Sequence, residues 1–451
     1  MNSNIFKAYD IRGVYPDDMN EDDAYAIAQA YAQFVKPKKI ALGKDVRTSG
    51  PSMWNATAQG LINAGVDVVD IGTVSTDMMY FAAAYLELDG GISVTASHNP
   101  REYTGMKMVR EKAIPISGDT GIQAMQVIAE KGGRMRTDKK GAIMKQDILE
   151  PYVDHCLAFI DPAKIKKLRV VANANFGMAG IVAQRMIAKG KLPLEVTPLN
   201  FEPDGTFPKG RPDPLVPENR DETSELVKQT HADFAVSWDA DADRCFFFDE
   251  SGNFIDGYYI VALLASIMLR THPGGGKVII DPRMVFATRK AIQDAGGTSI
   301  MNKVGHTFIK ERMRKEDAIF AGENSAHLYF RDNYYCDNGM IPFLLILQEL
   351  SVTGKKISEL VKPWTDAVKV SGEINFTVKD VKVVIAEITK KFNDGDQNTI
   401  DGLSVEYPAS RFNVRGSNTE PLLRLNTEAY TQKDMETLRD KVMAEIQPFL
   451  V

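Results

Sequence analysis

Residues 66–100 read VDVVDIGTVSTDMMYFAAAYLELDGGISVTASHNP. Val66–Ile71 is a short β-branched apolar run. Asp77–Tyr85 is long enough and apolar enough for a buried helix, and Gly91–Thr95 is a second apolar run. Strand, helix and strand in that order form a βαβ unit, whose two strands lie parallel. Upstream, Asp22–Val35 places Ala24, Ile27, Ala28 and Tyr31 at helical steps. Lys39–Leu42 then reads as a strand and Met53–Ala64 as a helix. The N-terminal third is therefore an α/β sheet with mostly parallel strands.

The same order recurs twice. Val170–Asn173, Gly180–Ala188, Leu194–Thr197, Glu222–Thr230 and Phe234–Trp238 alternate as strand and helix, ending on a strand. Val278–Asp281, Val285–Ala295, Thr298–Asn302, His306–Arg314 and Ala318–Ala321 do so again. In each unit the third strand runs into a polar loop: TASHNP at 95–100, DADADR at 239–244 and GENSAH at 322–327. Open α/β sheets bind ligands beyond the carboxyl ends of their strands. Three such loops facing one cleft would make a composite active site. From about residue 371 the pattern changes to α+β, with Ile374–Val378, Leu403–Tyr407, Phe412–Val414 and Leu422–Thr427 as strands. Pro363 and the charged stretch after it mark an expected boundary. At about 150 residues per domain, the 451-residue length implies roughly three domains, with four also compatible.

Apolar residues make up 44% and charged residues 25%, an ordinary globular balance. A net charge of −6 argues against a nucleic-acid partner, so any phosphate must meet a local basic site. Cys156, Cys245 and Cys336 are widely spaced and odd in number, which fits a reducing compartment rather than a disulfide framework. The opening MNSNIFKAYDIRG lacks a signal-peptide core. The apolar runs Ile260–Leu269 and Ile341–Leu347 are too short to span a bilayer and read as buried helix faces. The expectation is a cytoplasmic protein without a membrane partner.

Asp239, Asp241 and Asp243 alternate in a tight loop after an apolar strand. Alternating carboxylates can converge on a hard divalent cation, and without one they repel. A calcium EF-hand does not fit, because Arg244 stands where that loop needs Gly and the flanks read as strands. Ser97, delivered by a strand beside His98, Asn99 and Pro100, is either a nucleophile or an ordinary turn former. Arg415-Gly-Ser417-Asn418-Thr419 offers a guanidinium, hydroxyls and backbone N–H groups, either for a phosphate or as a polar turn. Glu323, Ser325 and His327 alternate, and in an extended loop would face one side, where they would suit sugar hydroxyls; otherwise the loop is merely solvated. Tyr9, Arg12 and Lys107 would surround a transferring phosphoryl group or else lie on the surface.

Taken together and in order, KAYDIRG, TASHNP, the D-x-D-x-D-R loop, GE-x-S and RGSNTEP resemble the α-D-phosphohexomutase family, and most closely its bacterial phosphomannomutase/phosphoglucomutase branch. The resemblance covers the whole chain. It implies three similar α/β domains with mixed, mostly parallel sheets and a smaller C-terminal α+β domain around a central cleft. The boundaries would be 1–148, 149–252, 253–366 and 367–451.

The resemblance also implies roles. Ser97 would be the phosphoserine, and Asp239, Asp241 and Asp243 would bind one Mg2+ with the Ser97 phosphate. Ser97, Lys107, Arg12, His98, Arg244 and His306 form the expected catalytic group, with Lys107 as a proton-transfer residue. Glu323, Ser325 and His327 would hold sugar hydroxyls. Arg415, Ser417, Asn418 and Thr419 would grip the non-reacting phosphate, with Tyr9 and Arg283 also contacting substrate. The implied activity is reversible phosphoryl transfer on mannose and glucose phosphates through a hexose 1,6-bisphosphate, which serves nucleotide-sugar synthesis. Ala240 departs from the usual Gly of the metal loop, and Asn324 from the Met common in this branch. A phosphoglucosamine mutase and a catalytically silent sugar-phosphate binder are the alternatives. A monomer and a dimer are both compatible with the sequence.

Overall fold

The computed structural model describes residues 1–132, 135, 137–272, 274–416 and 422–451. The chain divides into two compact units, the first comprising residues 1–255 and 327–357, the second 256–326 and 358–451.

The first unit opens with β1 (Ile11–Val14), α1 (Glu21–Val35), β2 (Lys39–Lys44), α2 (Gly50–Asn63), β3 (Asp67–Thr73), α3 (Thr76–Tyr85), β4 (Gly90–Val94), β5 (Tyr103–Arg110), α4 (Gln123–Glu130) and β6 (Ile143–Lys145). Their sheet has the order β1-β5-β4-β2-β3-β6. The β4, β2 and β3 neighbours are parallel, as the sequence pattern predicts, and β6, a strand not anticipated, pairs parallel with β3. β5 runs antiparallel to both β4 and β1, and the periodicity did not anticipate it. Every residue of β4 is buried, as expected for a strand covered on both faces. Asn20 caps α1 reciprocally with Asp23, and Ala24, Ile27, Ala28 and Tyr31 are fully buried on its inner face.

A second sheet follows, preceded by α5 (Leu149–Leu157). It is built from β7 (Leu168–Asn173), α6 (Ala179–Gly190), β8 (Leu194–Leu199), α7 (Asp221–Thr230), β9 (Phe234–Trp238), β10 (Cys245–Phe248) and β11 (Phe254–Ile255). The order is β11-β10-β9-β7-β8, with β7 parallel to β8 and β9, and β10 antiparallel to its neighbours.

In the second unit α8 (Gly257–Arg270) leads to β12 (Lys277–Ile280), α9 (Phe286–Asp294), β13 (Thr298–Met301), α10 (His306–Glu316) and β14 (Phe320–Gly322). β12 is parallel to β13 and β14. The chain then contributes the antiparallel pair β15 (Leu328–Phe330) and β16 (Cys336–Asp337), with α11 (Met340–Thr353), to the first unit. The expected apolar runs are the buried bodies of α8 and α11. Among the described residues no helix is long and apolar enough to cross a membrane.

Pro363, in the stretch expected to mark a boundary, lies inside α12 (Ile357–Ala367). The missing N–H removes one intrahelical bond. Burial of Ile357, Leu360 and Val361 offsets that loss. The last segment contains β17 (Lys369–Thr377), α13 (Val381–Lys391), β18 (Asp396–Asn398), β19 (Leu403–Glu406), β20 (Ser410–Gly416), β21 (Leu422–Ala429) and α14 (Gln432–Ile446). Its sheet, β17-β21-β20-β19-β18, is wholly antiparallel, and β18 is one short strand more than expected.

This segment is joined to residues 256–326 by buried charge. Glu428 on β21 accepts hydrogen bonds from Val285 N (2.6 Å), Phe286 N (3.0 Å) and Tyr258 Oη (2.6 Å), and lies 3.7 Å from Arg411 Nη1. Arg411 donates to the carbonyls of Pro282 (2.5 Å) and Arg283 (3.1 Å).

Candidate active site

The β4 strand ends one residue before the TASHNP turn. Ser97 sits in that turn with φ +51°, and it is 2% exposed. Its Oγ lies 3.4 Å from Asp239 Oδ2 and 3.3 Å from His98 Nδ1. β9 delivers the acidic loop to the same place, and one ligand oxygen from each of Asp239, Asp241 and Asp243 lies within 4.8 Å of the others. All three residues are buried. Ala242 takes the left-handed turn of the loop, φ +56°. Ala240 is not among the positive-φ residues, so a side chain in place of Gly costs no backbone strain there.

The antiparallel β5 brings Lys107 into this loop. Its Nζ donates to Asp241 Oδ2 at 2.8 Å and Asp243 Oδ2 at 2.5 Å. Thr76, at the start of α3, donates its hydroxyl to Asp241 Oδ2 at 2.5 Å. Arg244 Nε donates to Asp239 Oδ2 at 2.8 Å, and its Nη1 lies 3.6 Å from Asp213 Oδ1. Arg12 on β1 donates to Asn99 Oδ1 at 2.7 Å and pairs with Asp10, while Tyr9 is half-buried just ahead of that strand.

Burial is the largest influence on each carboxyl and favours the neutral form. Asp239 is pushed up to about 8 despite Arg244. Asp243 is raised by burial and by the charge of Asp241. Asp241 goes the other way, because the charge and hydrogen bond of Lys107, with help from Thr76, outweigh burial. Burial would lower Lys107, but Asp241 and Asp243 outweigh it and hold it above the usual amine range. These contacts favour the charged ammonium of Lys107, the residue expected to transfer the proton. His98 is held well below the usual imidazole value by burial, then by Arg244 and Arg12.

The expected sugar group is only partly brought together. The 323–327 loop is not extended: Ala326 N donates to the Glu323 carbonyl at 2.9 Å, and Ala326 has φ +67°. The turn breaks the alternation that would put His327 beside Glu323 and Ser325. His327 instead lies with its Nδ1 3.0 Å from Asp337 Oδ2 and 3.9 Å from Asp243 Oδ1. In the second unit, Glu323 Oε1 accepts from Gly305 N at 2.9 Å, and Ser325 is half-buried. Gly305 has φ +121°, which only glycine adopts freely, and it caps α10 so that buried His306 begins the helix.

Arg283 donates its Nε to both oxygens of Asp281, at 2.9 and 2.7 Å. Its Nη1 is 3.5 Å from Glu373 Oε2. Arg415 Nη2 lies 3.4 Å from the same oxygen, and Arg424 Nη1 lies 3.2 Å from Glu373 Oε1. Arg415 and Arg424 stand directly opposite each other on β20 and β21. Like charges in that register are unfavourable unless an anion or carboxylate sits between them. Ser417, Asn418 and Thr419 lie outside the described residues.

Four family descriptions match the chain in order. They are phosphoglucomutase/phosphomannomutase domain I over 3–134, domain II over 150–252, domain III over 256–367 and the C-terminal domain over 373–445. A Vibrio cholerae phosphomannomutase is 46% identical over 97% of this chain and 96% of its own length. An Escherichia coli K12 phosphomannomutase is 47% identical over 94% of each. The crystal structure of a Burkholderia thailandensis phosphoglucomutase/phosphomannomutase family protein superposes with a TM-score of 0.89. It has 32% identity and covers 99% of this chain and 98% of the other.

The chain belongs to the phosphoglucomutase/phosphomannomutase family. The acidic loop of this family member suits a metal on its own chemistry. It offers hard oxygen donors, and Asp241 Oδ1 and Asp243 Oδ1 are buried without a hydrogen-bond partner. Sequence reasoning missed several groups that shape the site. Thr76 and Asp337 hold a metal-loop carboxylate and His327. Asp213 ties Arg244 to Arg211, whose Nη2 is 2.9 Å away. Glu373 and Arg424 complete the arginine cluster. None belongs to a recognisable motif; only the strand pairing of Arg415 with Arg424 carried a signal, and it required the register.

Proposed function

We propose that this phosphohexose mutase interconverts mannose 6-phosphate and mannose 1-phosphate, and the glucose pair by the same route, with Ser97 as the phosphoryl carrier. The observation that carries the reading is Ser97 Oγ, buried in a left-handed turn 3.4 Å from the Asp239–Asp243 loop. A turn former needs neither burial nor a carboxylate trio; a phosphoserine needs both a cation site and a fixed position.

In the forward half-reaction the bond from phosphorus to Ser97 Oγ breaks and a bond to the sugar hydroxyl oxygen forms. The hydroxyl proton leaves, and a hexose 1,6-bisphosphate results. Return of the other phosphate to Ser97 completes the cycle. Mg2+ held by Asp239, Asp241, Asp243 and the Ser97 phosphate would stabilise charge on the moving group. Arg244 and Lys107 neutralise the same region as fixed cations, and Arg12 holds Asn99 of the turn. We assign the proton to His327, whose ring has Asp337 at ion-pair distance, because Lys107 is committed to two carboxylates. Glu323 and Ser325 would take sugar hydroxyls. Arg415 and Arg424, with Ser417, Asn418, Thr419 and Arg283, would hold the phosphate that does not react; Tyr9, His98 and His306 complete the reading. The domain boundaries 1–148, 149–252, 253–366 and 367–451 belong to it as well. Three free, buried cysteines fit a cytoplasmic setting.

The test is Ser97→Ala, assayed with mannose 1-phosphate and catalytic mannose 1,6-bisphosphate, together with labelling of the wild type by [32P]bisphosphate. The reading expects label at Ser97 and a loss of turnover of at least about 10³-fold in the variant. Full turnover without Ser97, or no label on the protein, overturns it.

A further inference from the structure

The carbonyl side of the Ser97 turn is held by a side chain that none of the roles above uses. Arg47 follows β2 and is 2% exposed. Its Nη2 donates to the carbonyls of Ser97 (2.6 Å) and Asn99 (2.7 Å), and its Nη1 to those of Pro100 (2.7 Å) and Tyr103 (3.2 Å). Nε lies 3.2 Å from Asp45 Oδ2, and the backbone N–H of Arg47 donates to Asp45 Oδ1 at 2.9 Å. The ring of Phe207 covers the guanidinium, 5.1 Å from ring centre to Cζ.

Asp45 reaches the other side of the same residue. Thr95 Oγ1 donates to Asp45 Oδ2 at 2.6 Å and accepts from Ser97 N at 2.9 Å. Both backbone groups of Ser97 are thus tied, directly or through one hydroxyl, to a single Asp45–Arg47 pair. Ser97 needs such a hold. Its φ of +51° brings Cβ against the following backbone, and residues with side chains keep that conformation only where their surroundings over-determine it.

We propose that the Asp45–Arg47 pair is a positioning device for phosphoryl transfer, with Arg47 its principal member. By fixing four carbonyls of the 97–103 turn, it sets where Ser97 Oγ sits against the acidic loop. The proposal rests on the reading of Ser97 as the carrier. The geometry is specific to arginine. A planar guanidinium sends donors from Nη1 and Nη2 to four carbonyls while its Nε stays in ion-pair range of Asp45, whereas an ammonium offers three donors from one point. Arg47 meets the turn from its backbone side, so its loss should act on transfer rather than on sugar binding.

The experiment compares Arg47→Lys, Arg47→Ala and Thr95→Val with the wild type, measuring kcat, KM for mannose 1-phosphate, melting temperature and [32P] incorporation at Ser97. A displacement of the nucleophile near 1 Å costs on the order of 10²-fold in rate. Arg47→Lys should therefore lose roughly 30- to 100-fold in kcat with KM within about threefold. Added guanidinium ion should restore several-fold in Arg47→Ala and nothing in Ser97→Ala. Thr95→Val, which acts from the opposite side, should lose about 10-fold in kcat.

A folded Arg47→Lys with wild-type kcat overturns the proposal. If neither Arg47 variant folds, Thr95→Val decides, and wild-type kcat there overturns it equally. The two readings fail differently. An unlabelled wild type removes the carrier role, whereas a labelled wild type beside a fully active Arg47→Lys removes only the positioning role.

Discussion

In the first unit three carboxylates, Asp239, Asp241 and Asp243, meet two cations, Lys107 and Arg244. In the second, three guanidinium groups, Arg283, Arg415 and Arg424, meet two carboxylates, Asp281 and Glu373. Counting only these groups at their formal charges, carboxylates outnumber cations in the first and guanidinium groups outnumber carboxylates in the second. Unbalanced buried charge is costly, so each is most stable when a ligand of opposite sign completes it. The first suits a divalent cation with a phosphoryl group, and the second suits a phosphate alone. The supports differ too. Behind the acidic loop, Asp77 is held by Ser75, Met78 N and Tyr152 Oη, none of them charged. Glu428, which braces the segment bearing Arg283, faces the guanidinium of Arg411.

The comparison breaks most directly at Asp241. Asp241→Asn should lower kcat/KM by roughly 10³-fold and abolish the rise in melting temperature that Mg2+ produces in the wild type. A variant that still gains thermal stability from Mg2+ would show that the cation sits elsewhere.

On the opposite side, Arg415→Ala should raise KM by about 100-fold and Arg424→Ala by about 10-fold, with kcat less affected. Inorganic phosphate should stabilise the wild type against heat and neither variant. Arg424→Ala should leave the unliganded protein within about 1 kcal/mol of wild type, since it also relieves a cross-strand repulsion. A loss of kcat with unchanged KM in both variants would refute the phosphate role.

The supports sharpen the contrast. Glu428→Gln removes the buried carboxylate beside Arg411, leaving it Glu406 and two carbonyls, and should cost about 3 kcal/mol in urea denaturation. A pH-dependent effect is expected at Asp77, which burial pushes up to about 7 against its hydroxyl partners. Its folded value lies above its unfolded one, so the unfolded chain releases the proton first as pH rises. The stabilisation is present below about pH 4 and is lost as pH climbs through about 7. Asp77→Asn should flatten that slope in melting curves from pH 5 to 8; an unchanged slope would locate the titration at another group.

Much of this was legible before any coordinates. The period-two and period-3.6 patterns of residues 39–100 specify parallel strands with crossover helices, because only buried faces of the right period hold such a sheet together. The acidic loop, the Ser97 turn and Arg415 announced themselves through residue types whose clustering has a chemical cost without a ligand. β5 escaped notice, since its eight residues TYR-to-ARG at 103–110 mix Gly, Lys and Met and show no clean alternation. Lys107 therefore appeared as an isolated cation, and its commitment to two carboxylates was invisible. The turn at residues 323–326 was invisible for a related reason. Alternation predicts a shared face only in extended chain, and a left-handed Ala326 turns the loop away.

By itself, then, the sequence determined the α/β architecture, the order of the polar loops and which side chains are candidates for the chemistry, because periodicity and residue chemistry are local properties. Only the tertiary structure decided which charges meet. Arg47 on the Ser97 turn, Asp337 on His327 and Arg424 opposite Arg415 depend on segments distant in the chain being packed to hydrogen-bond distance. Hydrogen bonds act only at contact distance and in the right direction, so no spacing along the chain could have reported them.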